Sequence, residues 1–219
     1  MSKLCRAFLL AGLGLASVVS TSAYAQTSTT KRLAKHIDRM DFALQGAYVS
    51  HSSVNGTNYL NQKVTQSVST TFGALVQLRY TIKPPVGFEF NWNYSRSTQT
   101  YLGATPSGIL TVQATPNEFT GGYVYHGPEI AGIKTFASAG AGSTDYKPTR
   151  FGGVGLQPQW RLTYYYGFGG EMPVFTPNIG IRVQFRQAFH KAPDFGANYL
   201  QLEKQNTTIE PAFGFYVHF

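Results

Sequence analysis

Phe88-Glu89-Phe90-Asn91-Trp92-Asn93-Tyr94-Ser95 alternates without interruption between a large aromatic and a polar side chain. Successive side chains of a β-strand point to opposite faces, so this stretch reads as a strand with one aromatic face and one polar face. An aromatic face of that size calls for an apolar neighbour, either a protein core or lipid. A strand with one face in lipid and the other in a polar lumen has to alternate in this way along its whole length.

Working back through Pro84-Pro85, the preceding segment places Phe72, Ala74, Val76, Leu78 and Tyr80 opposite Thr71, Gly73, Gln77 and Arg79. A hairpin centred on residue 84 sets Leu78 opposite Phe90 and Tyr80 opposite Phe88 on one face, and Arg79 opposite Glu89 on the other. Opposite charges therefore meet on the face that lacks the aromatics. Moving outward, Trp160 to Phe168 and Ile179 to Arg186 alternate strongly, and segments near 38–50, 117–127 and 208–219 follow the rule with more glycine. A fifth segment, Ile133 to Ser143, is Ala/Gly-rich. Together they make eight segments of roughly ten residues, the length of a tilted membrane-spanning strand. The fold class expected is all-β, an eight-stranded antiparallel up-and-down transmembrane barrel.

The connections carry independent information. Those near 51–65, 98–115, 146–157 and 188–206 are long and rich in Ser, Thr, Asn, Gly and Pro, whereas those near 82–86, 128–132 and 170–177 are short. Long outer loops alternating with short periplasmic turns are the barrel pattern, and a long first connection puts both termini in the periplasm. At the N-terminus, Lys3 and Arg6 precede the apolar stretch Ala7 to Val19 and the small-x-small sequence Ala23-Tyr24-Ala25. We read residues 1–25 as a cleaved signal peptide, 26–37 as a short periplasmic leader and 38–219 as the barrel. The single cysteine, Cys5, falls in the removed segment, which leaves no disulfide framework and no thiolate metal site.

The charge balance is +8, with 18 Lys+Arg against 10 Asp+Glu. The cations are scattered singly through alternating segments and do not form the basic patch of a nucleic-acid binder. No run approaches the ~20 apolar residues that a membrane-spanning helix needs. Arg or Lys on the lipid face of a barrel costs about 2–4 kcal/mol at the bilayer midplane, so Arg79, Glu89, Glu118, Arg161, Arg182, Arg186 and Glu210 are expected to form a polar network inside the lumen. Eight strands leave an interior that side chains just fill, so the expectation is a plugged interior without an open channel. Lys63, Arg96, Lys147, Arg150 and Lys191, with Lys204, fall on or beside the long connections, where cations suit the phosphates of lipopolysaccharide.

Catalytic readings find little support. His51-Ser52-Ser53 supplies a His-x-Ser pair of the kind that a lipid A-modifying hydrolase would use, but triad logic needs a third, orienting group that the sequence does not place. His36, His126, His190 and His218 have no ligand-like spacing, and Gly152-Gly153-Val154-Gly155 lacks the Lys-Ser/Thr ending of a phosphate loop. No catalytic residues, metal or cofactor are expected.

The closing run Gly214-Phe215-Tyr216-Val217-His218-Phe219, taken with the strand repeat and the signal peptide, resembles the small outer-membrane β-barrels that include the barrel domain of outer-membrane protein A and opacity-type single barrels. The resemblance implies assembly from the periplasm with the help of chaperones and the barrel-assembly machinery. Phe215, Val217 and Phe219 would serve as the assembly signal. It also implies a monomer without catalysis, in envelope-integrity, adhesion or other surface-binding roles. The chain ends at the barrel, so an appended peptidoglycan-binding domain is not expected. Three alternatives stay open at this point: a soluble lipocalin-like binder with its aromatic face inward, a lipid A-modifying barrel hydrolase, and a narrow solute pore.

Overall fold

The computed structural model describes residues 34–104, 108–153 and 155–219. The expected signal peptide and the leader up to residue 33 lie outside the described residues, as do 105–107 and 154. Residues 39–219 make up one unit, and its strands are β1 (Met40–His51), β2 (Val54–Thr57), β3 (Lys63–Val68), β4 (Thr71–Lys83), β5 (Val86–Tyr94), β6 (Ser97–Leu102), β7 (Ile109–Ile130), β8 (Ile133–Pro148), β9 (Gln159–Thr176), β10 (Ile179–Lys191) and β11 (Gln205–His218).

Eight of these close a ring, in the order β1-β4-β5-β7-β8-β9-β10-β11 and back to β1, every pair antiparallel. Closure removes every free edge in the ring, which is why a sheet can stand in lipid with no backbone group unpaired. The β4–β5 register pairs Leu78 with Phe90, Arg79 with Glu89 and Tyr80 with Phe88. The Ala/Gly-rich segment is a full ring strand, β8, joined to β7 by a two-residue turn in which Ala131 and Gly132 both have positive φ (53° and 81°). That left-handed pair is what a tight hairpin turn requires. At the β1–β11 seam the ladder is interrupted between Ala47–Ala212 and Ser50–Ile209, where Pro211 has no N–H to offer.

Alternation turns the aromatics outward. Phe88, Phe90, Trp92 and Tyr94 are 43, 51, 38 and 40% exposed, while Glu89, Asn91 and Asn93 between them are buried. Edge and tilted ring contacts such as Tyr48–Phe72, Phe119–Trp160 and Phe175–Phe215 continue this outer surface around the barrel. No described helix is long and apolar enough to cross a membrane.

The connections depart from expectation. Residues 51–65 and 98–115 read as Ser/Thr/Gly-rich loops, yet they hold β2, part of β3, most of β6 and the first seven residues of β7. These strands build an additional sheet, β2-β3-β6-β7, which rises beyond the ring on the side of the long connections. The reason is continuity. β7 is 22 residues long, and having paired with β5 over Asn117–Tyr125 it goes on to pair with β6 over Ile109–Ala114.

Candidate functional site: the lumen network and its outer cap

Inward-facing positions of the ring carry charge in two tiers. In the first, near the short turns, Arg79 on β4 donates from Nε to Glu89 (2.9 Å) and from Nη1 to Glu171 (2.7 Å). Arg182 on β10 donates to Asp41 (2.6 Å) and Glu171 (2.9 Å). Tyr165 Oη donates to Glu89 (2.8 Å), and the Arg79 guanidinium lies 3.9 Å above the Phe136 ring. An amide layer follows, in which Gln45 donates to Gln77 and Gln77 to Asn91 at 2.5 and 2.8 Å. In the second tier, Arg186 donates to Glu210 (2.5 Å), to Glu118 and to Thr120 (3.2 Å), with its guanidinium 4.4 Å from the Tyr165 ring. All three arginines are buried to within 2%. Charges so far from water persist only where carboxylates and hydrogen bonds complete their environment, and here five carboxylates surround three guanidinium groups.

Six of the seven expected lumen residues are thus brought together: Arg79, Glu89 and Arg182 in one tier, Glu118, Arg186 and Glu210 in the other. Arg161 is the exception. It stands on the inward face at the outer rim of β9 and pairs with Asp194 of the β10–β11 connection at 2.7 Å, remote in sequence from any strand carboxylate. Asp41 and Glu171, which complete the lower tier, were not among the expected residues. Both share strand parity with inward neighbours, Gln45 on β1 and Tyr165 on β9, so the signal was present in the alternation.

Above the second tier lies a cavity of about 20 Å³ lined by His51, His190, Asn93, Glu118 and Glu210 among others, room for about one water molecule. His190 shares a 2.6 Å hydrogen bond with the Tyr146 hydroxyl, and His51 Nδ1 shares a 3.0 Å bond with Thr208. Ser53 is exposed and outside this arrangement, while Ser52 hydrogen-bonds Asn206 and the Thr207 backbone. The His-x-Ser pair is therefore not assembled as a nucleophile and its base. Among the described residues no cluster suits a metal ion.

An apolar cap follows. Val64, Tyr101, Val112 and Ala114 on the inner face of the extra sheet pack with Ala192, Phe195, Leu200 and Leu202 from the β10–β11 connection, all at most 1% exposed. Phe195 and Gly196 both take positive φ (52° and 75°), which folds this connection back over the barrel mouth. A left-handed non-glycine residue costs about 1–2 kcal/mol, offset here by complete burial of the phenyl ring. Tyr101 Oη donates to the Pro193 carbonyl at 2.6 Å, and burial followed by the Asp194 carboxylate push its pKa above the ordinary tyrosine value, so it remains a donor.

The loop cations sit outside this cap. Lys147 pairs with Asp145 (2.9 Å) and Lys191 with Glu203 (3.1 Å), Arg96 donates to Gln113 (2.7 Å), Arg150 lies 5.9 Å from the Phe151 ring, and Lys63 is exposed at the start of β3. Phe215 and Phe219 are 52 and 51% exposed on the outer wall of β11 and just beyond it, and Val217 is partly buried on the same face.

No protein-family model matches the chain, and no curated protein matches it in sequence. Among solved structures it is similar to Neisserial surface protein A, with 13% identity and a TM-score of 0.52 over 82% of this chain and 97% of that one. Looser likenesses, from which nothing is argued, are the attachment invasion locus protein Ail of Yersinia pestis (15% identity, TM-score 0.43, 80% of this chain and 97% of that one) and the outer membrane protein AlkL (11%, 0.45, 83% and 90%). Ring order, outward aromatics and this likeness agree on one fold, that of the small eight-stranded outer-membrane β-barrels.

Proposed function

We infer that this chain is an integral outer-membrane protein whose barrel is a closed, non-enzymatic scaffold and whose outward-projecting sheet and connections carry an envelope or surface-binding role. The observation that carries the reading is the inversion of polarity across the wall, with ion-paired arginines inside and aromatics outside. A lipocalin-like binder needs the opposite arrangement, with its apolar residues around an internal ligand. A solute pore needs a continuous lumen, whereas two tiers of ion pairs and the apolar cap fill this one. A hydrolase reading is disfavoured by the engagement of His51 with Thr208.

Both termini are assigned to the periplasm, the projecting sheet to the outside, and the loop cations Lys63, Arg96, Lys147, Arg150 and Lys191 to the lipopolysaccharide phosphates, with the two ion-paired lysines contributing least. Assembly through periplasmic chaperones and the barrel-assembly machinery, with Phe215, Val217 and Phe219 as the signal, belongs to the same reading. Mobility of the membrane fraction in SDS, boiled and unboiled, tests it. A compact form that survives SDS until heated is expected. Recovery as a soluble, SDS-labile protein would overturn the reading, as would a steady conductance of the purified protein in planar bilayers for the closed scaffold.

A further inference from the structure

The small cavity above the Arg186 tier has a chemistry of its own. Asn93 on β5, Glu118 on β7, Tyr146 on β8, His190 on β10, Glu210 on β11 and His51 at the end of β1 border its volume of about 20 Å³. Three buried polar atoms of these residues, Asn93 Oδ1, His190 Nδ1 and His51 Nε2, have no hydrogen-bond partner among the described residues. A buried donor or acceptor left unpaired forfeits the hydrogen bond that it had in water, so three such atoms around one cavity call for a shared partner.

The proton on His190 can be placed. Tyr146 is buried, and among the described residues its hydroxyl has one partner, His190 Nε2 at 2.6 Å. If Nε2 carried a proton and donated to the hydroxyl, as it would in the other neutral tautomer or in an imidazolium, the Tyr146 O–H would have nothing to donate to. The hydroxyl therefore donates, Nε2 accepts, and the ring proton is on Nδ1. The cavity thus receives a donor from His190 and an acceptor from Asn93.

We propose that this cavity binds one water molecule, which accepts from His190 Nδ1–H, donates to Asn93 Oδ1 and takes His51 Nε2 as its third partner. Water is selected because a single atom has to accept and donate at once. A bare cation would meet Asn93 but oppose the His190 N–H; an anion would do the reverse while standing beside Glu118 and Glu210. With one hydrogen and one lone pair still to spend, the water serves His51 whichever way the bond between His51 Nδ1 and Thr208 runs. The volume suits one molecule, and three partners are the usual number for a buried water. The chain from Tyr146 through His190 and the water to Asn93 joins β8, β10 and β5 between the ion pairs on one side and the apolar cap, to which Tyr146 belongs, on the other.

Nitrogen-15 NMR of the histidine side chains, in the intact protein folded in detergent micelles, tests this. His190 should show a protonated Nδ1 and an unprotonated Nε2, and its Hδ1 should give a cross-relaxation peak at the water frequency with the sign of a long-lived bound water. Asn93→Leu, close in volume and without the acceptor, should abolish that peak while Nδ1 stays protonated. A protonated Nε2 on wild-type His190, an Hδ1 with no water peak, or a water peak that survives in Asn93→Leu would each overturn the proposal. The wild-type spectrum decides even if Asn93→Leu does not fold.

Discussion

One face of one strand separates two chemistries. Along the inward side of β7, Val112 and Ala114 are buried against the apolar cap, while Glu118 and Thr120, beginning two repeats of the alternation further on, are buried against Arg186. The outward side reverses in step: Thr111, Gln113 and Thr115 above, then Phe119, Tyr123 and Tyr125 below. Neither the strand nor its parity changes between the two regions. On the proposed membrane reading the surrounding medium changes, from water around the projecting sheet to lipid around the ring, and with it the class of residue that must hide. Inside and outside are thus defined by solvent, and a β-strand records the crossing as an exchange of polarity between its two faces.

The comparison is broken most strongly in the lumen. Arg186→Ala leaves Glu118 and Glu210 buried without their shared cation, and loss of one member of a buried ion cluster costs about 3–5 kcal/mol. Urea unfolding in detergent should show a destabilisation of that order, whereas Arg186→Ala combined with Glu118→Gln and Glu210→Gln should recover much of it. A single variant no weaker than wild type would mean that the upper tier is not a closed cluster.

A second contrast reads the medium directly. Phe90 lies midway along β5 and is 51% exposed on the outer wall, and Thr111 is exposed on the outer face of the projecting sheet. Phe90→Lys should cost about 2–4 kcal/mol if that wall faces the hydrocarbon midplane, while Thr111→Lys should stay within about 0.5 kcal/mol. Equal costs at the two sites, measured by reversible unfolding into vesicles, would erase the boundary drawn along β7.

The ring was legible because lipid enforces the alternation. Phe88 to Tyr94 and Trp160 to Phe168 alternate too regularly for anything but strands, and the β4–β5 register followed from the turn alone. The projecting sheet was hidden because both its faces are mild in polarity: Ser97, Gln99 and Gln66 are buried polar residues, and Thr98, Thr100 and Thr111 face water, so the segment resembles a loop in composition. Pairing with a continuation of β7 supplies the order that local preference does not. The lumen network was predictable in kind from parity. The partner of Arg161 was not, because Asp194 reaches the rim only after the connection turns back through Phe195 and Gly196, a tertiary event that no strand period encodes.

The cap tests the other half of the comparison. Leu202→Ala removes a fully buried side chain from the apolar core, and about 2 kcal/mol is expected, the low end for such truncations because a surface connection can relax into the space. The loss should be local. Limited proteolysis within 192–204 should accelerate about thirtyfold, while the temperature at which the barrel unfolds in SDS stays unchanged. A fall in that temperature would show that cap and ring fold as one cooperative unit.

The smallest effect belongs to the rim, where the two regions are joined. Asp194 accepts from Arg161 Nη2 and Gln159 Nε2 at 2.7 Å each and from the Gly196 N–H at 3.0 Å. Asp194→Asn keeps one carbonyl oxygen for the backbone turn and for Gln159 but replaces the acceptor of Arg161 with an amide donor, so the charge and that hydrogen bond go together, the loss of a partly exposed ion pair, about 1 kcal/mol or less. Because the pair is reached by solvent ions, its contribution should shrink as salt is raised. Proteolysis of the 192–204 connection should therefore differ between wild type and Asp194→Asn at low ionic strength, by up to about fivefold, and converge at high salt. A difference that persists in salt would place the pair behind the cap in a dry site, and the boundary between the two chemistries would then lie further out along β9 than Arg161.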